Sequence, residues 1–585
     1  MSAPEPPVTA TPRPPRLTYV LLPIALAGLG IASLPGRAAT EGADPTLAAL
    51  TEGLDGTRAA LKSANLELPY YQQLVVWELE GVSIQATSGV DAALDHRLGR
   101  SLDVDLRLGS MQLDNTHKIR DASWFSTPER PQFNAPLAAG PALVELVWRA
   151  TDEVYRSARR QLTKVRANDS VKVKRDDLSD DFSLAPVVAY QAPPARLVVD
   201  EAAWQSTLRD VSALYLNYPT IYDSSALLNV ERHERWLVNN EGSRVHDGRL
   251  RYRAATWAET VAEDGMRLSV YDYVDAATAD HLPSREDFLS MARRVANTVL
   301  ALRNAPVIEP HTGPAILRGR AAGVFFHEIF GHRIEGMRQK DEDEGQTFTD
   351  RVGELVLPAI LSVHDDPTQA RYGDTDLNGA YLVDDEGVSS EPVTLVERGI
   401  LRNFLMSRAP VEGFSRSNGH GRRQPGNDVV ARQGNLRVEA HQTVSEARLR
   451  ELLIAEIKRQ NKPFGLMFDD ISGGFTFTGR STPNAFSVQP VTVWRVYPDG
   501  RPDELVRGVD LIGTPLTTFS RILAASDQVD VFNGVCGAES GWVPVSAIAP
   551  SLLIGEVEVQ RREKENDRPP LLPPPTLVPG PGGPV

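Results

Sequence analysis

The stretch VTLVERGILRNFL, Val393 to Leu405, sets the reading of the second half of the chain. Two apolar runs flank Glu397-Arg398-Gly399, so the segment reads as antiparallel strands joined by a tight turn. VTVWRVYPDGRPDELV, Val491 to Val506, repeats the arrangement around Pro498-Asp499-Gly500. Between these hairpins, Thr443 and Glu446 form a capping box that starts a helix over LRELLIAEIKR. From about Gly313 onward the expectation is a mostly antiparallel β-rich domain with a few helices.

The first half reads as mixed α and β. Leu47, Leu50, Leu54 and Leu61 recur at helical spacing between Pro45 and Asn65. LVVWELEGVSIQATSG and Asp103 to Leu108 alternate as strands. Ala142 to Arg166 predicts a long helix, ending at a charged surface loop from Lys172 to Asp181. Ala226 to Val261 predicts an antiparallel meander with turns at Asn240-Glu241-Gly242 and Asp247-Gly248. Pro283 and Ser284 lead into a helix from Arg285 to Arg303. The fold class is therefore α+β: an N-terminal mixed α/β domain over 40–312 and a β-rich domain over 313–562.

The ends lie outside both domains. Arg13 and Arg16 precede the apolar run LTYVLLPIALAGLGIASL, and small residues follow it around Ala38 and Ala39. A basic lead, an apolar middle and a small-residue exit predict a signal peptide or membrane anchor over 1–39. The expected location is extracytoplasmic (periplasmic, secreted or membrane-anchored), with cytoplasmic as the alternative. Residues 563–585 form a Pro-rich tail that can build neither a ladder nor a helix. The 585 residues carry 62 Lys+Arg against 77 Asp+Glu, a net charge of −15, so no basic excess exists to neutralise phosphates. Nucleic acid is excluded as a general partner. One cysteine, Cys536, excludes an intrachain disulfide and a Cys-rich zinc ribbon.

The chemistry concentrates in AAGVFFHEIFGHRIEG, Ala321 to Gly336, where His327, Glu328 and His332 form an HExxxH pattern. Chance gives such a pattern roughly 0.01 times in a chain with 11 histidines. Positions i and i+5 lie about 140° apart around a regular helix, too far to face one metal. A π-type turn or a helix bent at its end brings them together. Gly331 is the residue type that permits such a distortion, and Gly336 offers a C-terminal stop.

Two histidines do not complete a site, because catalytic zinc usually takes three protein ligands and an open position. Cys536, in the stretch VFNGVCGAESG between Gly534 and Gly537, is the candidate third ligand, predicted to sit in a loop. A His₂Cys set suits Zn²⁺, one ion per chain. Glu328, beside a ligand, would act as general base on a zinc-bound water, whose pKa falls toward ~7. The alternative is a non-catalytic peptide-binding protein with a structural zinc. A zinc hydrolase acting on another amide also stays open.

HEIFGHRIEG, VGELVLP, LVDDEGV, ERGILRNFLMSR, NGHGRR and GVCGAESG follow one another in an order that resembles the TldD/PmbA family of metalloproteases. The resemblance is to the catalytic, TldD-like type. It implies zinc on His327, His332 and Cys536 with Glu328 catalytic. It also implies hydrolysis of unfolded or short peptides inside a homodimer, or a heterodimer with a PmbA-like subunit. The export-like leader and the segment FGLMFDDISGGFTFTGRSTPNAF depart from the family pattern.

Further candidates surround this core. Arg422 and Arg423, in a Gly-rich stretch, could bind a peptide carboxylate or an oxyanion, and His420 is a weaker oxyanion candidate. Phe475 and Phe477 alternate on a strand that an extended peptide could join. Glu335 could orient a ligating histidine.

Overall fold

The Asp44 carboxylate accepts from the Thr46 and Leu47 amides and caps the helix α1 (Pro45–Ser63). The computed structural model describes residues 44–119, 131–169, 178–341, 343–476, 478–479, 486–513 and 518–562. The expected leader, most of the charged loop after the long helix, Phe477 and the Pro-rich tail lie outside these. Among the described residues no helix is long and apolar enough to cross a membrane.

Strands β1 (Tyr71–Thr87) and β2 (Val90–Arg107) form one long hairpin. Ser88 and Gly89 turn it with φ of 50° and 80°. With β3 (Phe133–Asn134), β4 (Ala189–Gln191), β5 (Asp223–Asn239), β6 (Arg244–Val261) and β7 (Arg267–Ala276) they make a seven-stranded sheet ordered β3-β2-β1-β5-β6-β4, β7 pairing with β6. It is antiparallel except where β4 joins β6. The expected turn at Asn240-Glu241-Gly242 is present. The turn expected at Asp247-Gly248 is not: both residues lie inside β6. A Cβ at Gly248 would meet the Glu234 carboxylate at 2.3 Å. The glycine there makes room for a buried acid rather than for a turn.

Helices α2 (Pro141–Asp169), α3 (Glu201–Leu214) and α4 (Arg285–Asn304) join α1 on one face of this sheet. Leu74, Val76, Trp236 and Val238 receive α1 and α2, while Val82, Ile84, Leu228 and Val230 receive α3 and α4. Each fully buried side chain such as Leu50 contributes about 1.5–3 kcal/mol over an exposed one. The opposite face, with Val75, Trp77, Leu237 and Val245, meets Val383 of the second half.

The second half carries a twelve-stranded mixed sheet, antiparallel in most of its pairings as expected but parallel in three. Parallel pairs join Asn435–Ala440 to Gly541–Arg561, Thr443–Val444 to Ile522–Ala538, and Gly465–Thr476 to β8 (His311–Leu317). Hairpin turns alone make antiparallel neighbours, but chain crossovers bring these distant strands side by side. Strands β8, Gly465–Thr476, Phe486–Val496, Val509–Gly513 and Gly541–Arg561 close into a ring, since β8 pairs with both its first and last neighbour. The Glu397-Arg398-Gly399 turn forms as expected, with Arg398 and Gly399 at φ 46° and 82°. The helix Glu446–Arg459 is capped two residues beyond the expected position. Ser445 accepts from the Arg448 amide, and Thr443 is in a strand.

Candidate metal centre

The helix α5 (Gly319–Ile329) follows β8 and is buried except at Arg320. Its Phe325, Phe326 and Ile329 sink into the largest core together with Phe330, Phe348, Phe468 and Phe519. Gly323 lets it cross closely, since a Cβ there would sit 3.0 Å from the Ala547 carbonyl. The α-helix stops at Ile329, and Gly331–Ile334 continue as a 3₁₀ turn. This change of winding is how the i+5 histidines come together, the second of the two geometries the spacing allowed.

Gly331 is required for space rather than for backbone freedom. A Cβ there would lie 1.9 Å from Oε1 of Gln433, whose Nε2 donates to the His327 carbonyl at 3.3 Å. Gly336 does not end the helix either. It has φ −58° and ψ −41° at the entry to Met337–Lys340, and a Cβ would meet Met406 Sδ at 2.4 Å.

Ligand atoms of His327, His332 and Cys536 all lie within 4.8 Å of one another. The Cys536 Sγ is 3.2 Å from His332 Nε2, and the two imidazoles meet edge to face with centroids 5.2 Å apart. Cys536 is not in a loop: it lies near the end of the strand Ile522–Ala538, paired with Val543 across a hairpin. Burial alone would raise its thiol pKa, but His332, His327 and Arg432 hold it well below the usual range. Burial likewise works against protonated His332, yet Cys536 and Glu335 raise it to about 10. A thiolate facing two imidazoles, one with a buried Nδ1 lacking any hydrogen-bond partner among the described residues, is a donor set that fits a soft-tolerant divalent cation such as zinc.

Glu328 lies at the edge of this trio, its Oε2 4.0 Å from His332 Nε2. Burial pushes its carboxyl pKa up, opposed by His327 and His332. A carboxylate whose proton affinity is raised by burial is suited to accept a proton.

A layer of ionic contacts holds the ligands. Glu335 places a carboxylate oxygen 3.4 Å from His332 Nδ1. Burial would raise Glu335, but His332 and Arg338 bring it to about 2. Arg338 donates to Glu335 at 2.8 Å and also reaches Glu344 and Glu539. Arg432, wholly buried, donates to the Cys536 carbonyl at 2.9 Å and approaches Glu335 at 3.4 Å, tying the two ligand-bearing segments together. The sequence offered a position for Glu335, three residues past His332, but no spacing signal for Arg432 or Gln433.

The remaining candidates are elsewhere. His420, Arg422 and Arg423 are all buried. His420 bonds Asn418 and approaches Asp365 at 3.4 Å. Arg422 donates to the carbonyls of Gln433 and Pro544, each at 2.7 Å. Arg423 grips Asp105 with two bonds near 3 Å. Arg423 thus braces the junction of the two sheets. Phe475 is half-exposed on its strand, and Phe477 lies outside the described residues.

Residues 310–561 match the PmbA/TldA metallopeptidase C-terminal domain. Over these residues the chain carries a TldD/PmbA family domain. A metalloprotease TldD homolog of Haemophilus influenzae is 30% identical over 269 residues, 44% of this chain and 51% of that protein. A metalloprotease of Methanocaldococcus jannaschii is 26% identical, covering 53% of this chain and 64% of the other. A zinc metalloprotease TldD homolog of Saccharolobus solfataricus is 24% identical, covering 42% and 51%. The chain therefore spans only half to two thirds of these relatives' length. The crystal structure of TldE from Thermococcus kodakarensis shares the fold, with a TM-score of 0.54 at 13% identity over 87% of this chain and all of that one. A Thermotoga maritima structure does so at 0.56 and 16%, with the same coverage.

Proposed function

We propose that this chain is a zinc-dependent peptidase of the TldD/PmbA family in which His327, His332 and Cys536 hold one zinc ion and Glu328 is the proton carrier. The convergence of two histidines and the chain's single thiolate within 4.8 Å carries this reading. Zinc, when bound, supplies Lewis acidity toward water and the peptide carbonyl. Glu328 takes the proton of the attacking water and returns it to the leaving amine, and its raised pKa favours the first transfer. Glu335 fixes the His332 ring through Nδ1, leaving Nε2 directed toward Cys536. The Glu328→Gln variant tests the assignment: it should keep its zinc and its fold while losing hydrolysis. Cleavage at the parental rate would overturn Glu328 as the proton carrier and favour a bracing role for the metal.

The substrates we propose are short or unfolded peptides. The strand Gly465–Thr476 is paired by β8 only from Leu466 to Phe468. Between Asp470 and Gly474 it has one strand neighbour, Phe486–Val496, among the described residues. An extended peptide can join such an edge through main-chain hydrogen bonds. A folded protein must first unfold locally, at a cost that can approach its stability of ~5–15 kcal/mol. Comparing one substrate in native and permanently unfolded form tests this; equal rates would contradict it. The family resemblance supports a homodimer or a heterodimer with a PmbA-like subunit, testable by sedimentation. The leader-like Leu17–Leu34 run supports an extracytoplasmic location, testable by N-terminal sequencing of the native protein.

A further inference from the structure

The face of the first sheet opposite its helices is tied to the second half of the chain at two places. At one, Arg235 donates to the carbonyls of Val383 and Asp384 and to the Asp385 carboxylate. At the other, the Tyr273 hydroxyl donates to the Asn533 carbonyl, and Asn378 donates to Asp275 at 2.6 Å. Between these ties Leu79, His233 and Arg249 lie abreast across β1, β5 and β6, and all three keep contact with solvent.

The Arg249 side chain makes no hydrogen bond and no ion pair with any described residue. The carboxylates that attract it, Asp385 and Asp247, are already engaged. Arg235 holds Asp247 with bonds of 2.9 and 2.6 Å and Asp385 with one of 2.6 Å. The other Asp385 oxygen accepts from the Arg423 amide at 2.7 Å. Burial pushes the Arg249 guanidinium down to about 10, and Arg422 and Arg235 push the same way. On its own row, His233 is 3.4 Å from Glu231, which also takes Arg251 at 2.6 Å, so no neighbour supplies the missing anion. Arg422 links this row to the metal helix, because the Gln433 whose carbonyl it binds also donates to the His327 carbonyl.

We propose that Arg249 is the anchor for a carboxylate of the peptide substrate, an inference that rests on the peptidase reading above. A planar guanidinium with both faces of its fork uncommitted suits a carboxylate, which takes two parallel charge-assisted hydrogen bonds. The carboxylate comes from the peptide's free C-terminus or from an Asp or Glu side chain.

The test uses three fluorescent peptides of one otherwise neutral sequence: a free acid, its C-terminal amide, and the amide with one internal Glu. Binding is read by polarisation on the full chain carrying Glu328→Gln, so that hydrolysis does not intervene. One of the two acidic peptides should bind roughly tenfold more tightly than the neutral amide, and which one identifies the source of the carboxylate. Adding Arg249→Gln should erase that difference, and Arg249→Lys should restore part of it. Arg249→Gln should also leave the melting temperature unchanged or higher, since it removes a cation flanked by cations. Equal affinity for all three peptides, a preference that survives Arg249→Gln, or a lower melting temperature would overturn the proposal. Failure of the parent chain to cleave any peptide, with the acidic preference intact, would instead sink the peptidase reading alone.

Discussion

His332 Nε2 and Cys536 Sγ stand 3.2 Å apart across 204 residues of sequence. The helix-to-3₁₀ change after Ile329 delivers one, and the last turn-ward residues of the strand Ile522–Ala538 deliver the other. Arg432 and Glu335 hold the two deliveries in register.

Cys536→Ser should bind zinc far more weakly than the parent, because a neutral hydroxyl replaces a thiolate already favoured by two imidazoles and Arg432. Competition with a chelator of known affinity measures this. Unchanged zinc affinity would remove Cys536 from the ligand set.

Gly331→Ala should cost about 1–3 kcal/mol, as expected for overpacking, because the new methyl displaces the Gln433 amide from the His327 carbonyl. Gln433→Ala made alongside it should recover part of that loss. Denaturant unfolding of the single and double variants checks the coupling. Additive losses would show that the two residues do not compete for the same space.

His246 links Asp44, the α1 cap, to Glu234 through contacts of 3.0 and 2.9 Å, and stacks on Trp236. Burial disfavours its charge, but Asp44 and Glu234 raise its pKa from 6.5 to about 9. A raised folded-state value means the pairing stabilises fully below about pH 6.5 and fades as pH rises through about 9. Burial would raise Asp44, yet His246 and the capped amides lower it to about 2, so its share persists above 3.8 and is lost as pH falls toward 2. His246→Asn should therefore lower the melting temperature most at about pH 5–6 and least near about pH 10. A deficit that does not shrink with rising pH would contradict the ionic account.

Much of this architecture was legible because local rules carried it. Ser284 capping α4 and the left-handed pair Arg398-Gly399 appear where the sequence puts them. The metal trio was legible because one unusual spacing and one cysteine left few alternatives. What escaped depends on chain crossings. Asp247-Gly248 has turn chemistry, yet the β5–β6 register and the Glu234 carboxylate hold it inside a strand. The parallel pairs of the second sheet join strands far apart in sequence, and no hairpin signal predicts them. Arg422 and Arg423 look like ligand-binding residues in the NGHGRR stretch, but Asp105, brought from β2, occupies Arg423. Arg432 and Gln433 were invisible for the same reason, since only the fold sets them behind His327 and Cys536.

The most direct test of the account is a zinc titration of chelator-stripped protein with hydrolysis of an unfolded peptide as the readout. The account predicts no cleavage without metal and a rise that levels off at about one zinc per chain, the number a single three-ligand site can hold. Full cleavage by the metal-free protein would contradict it.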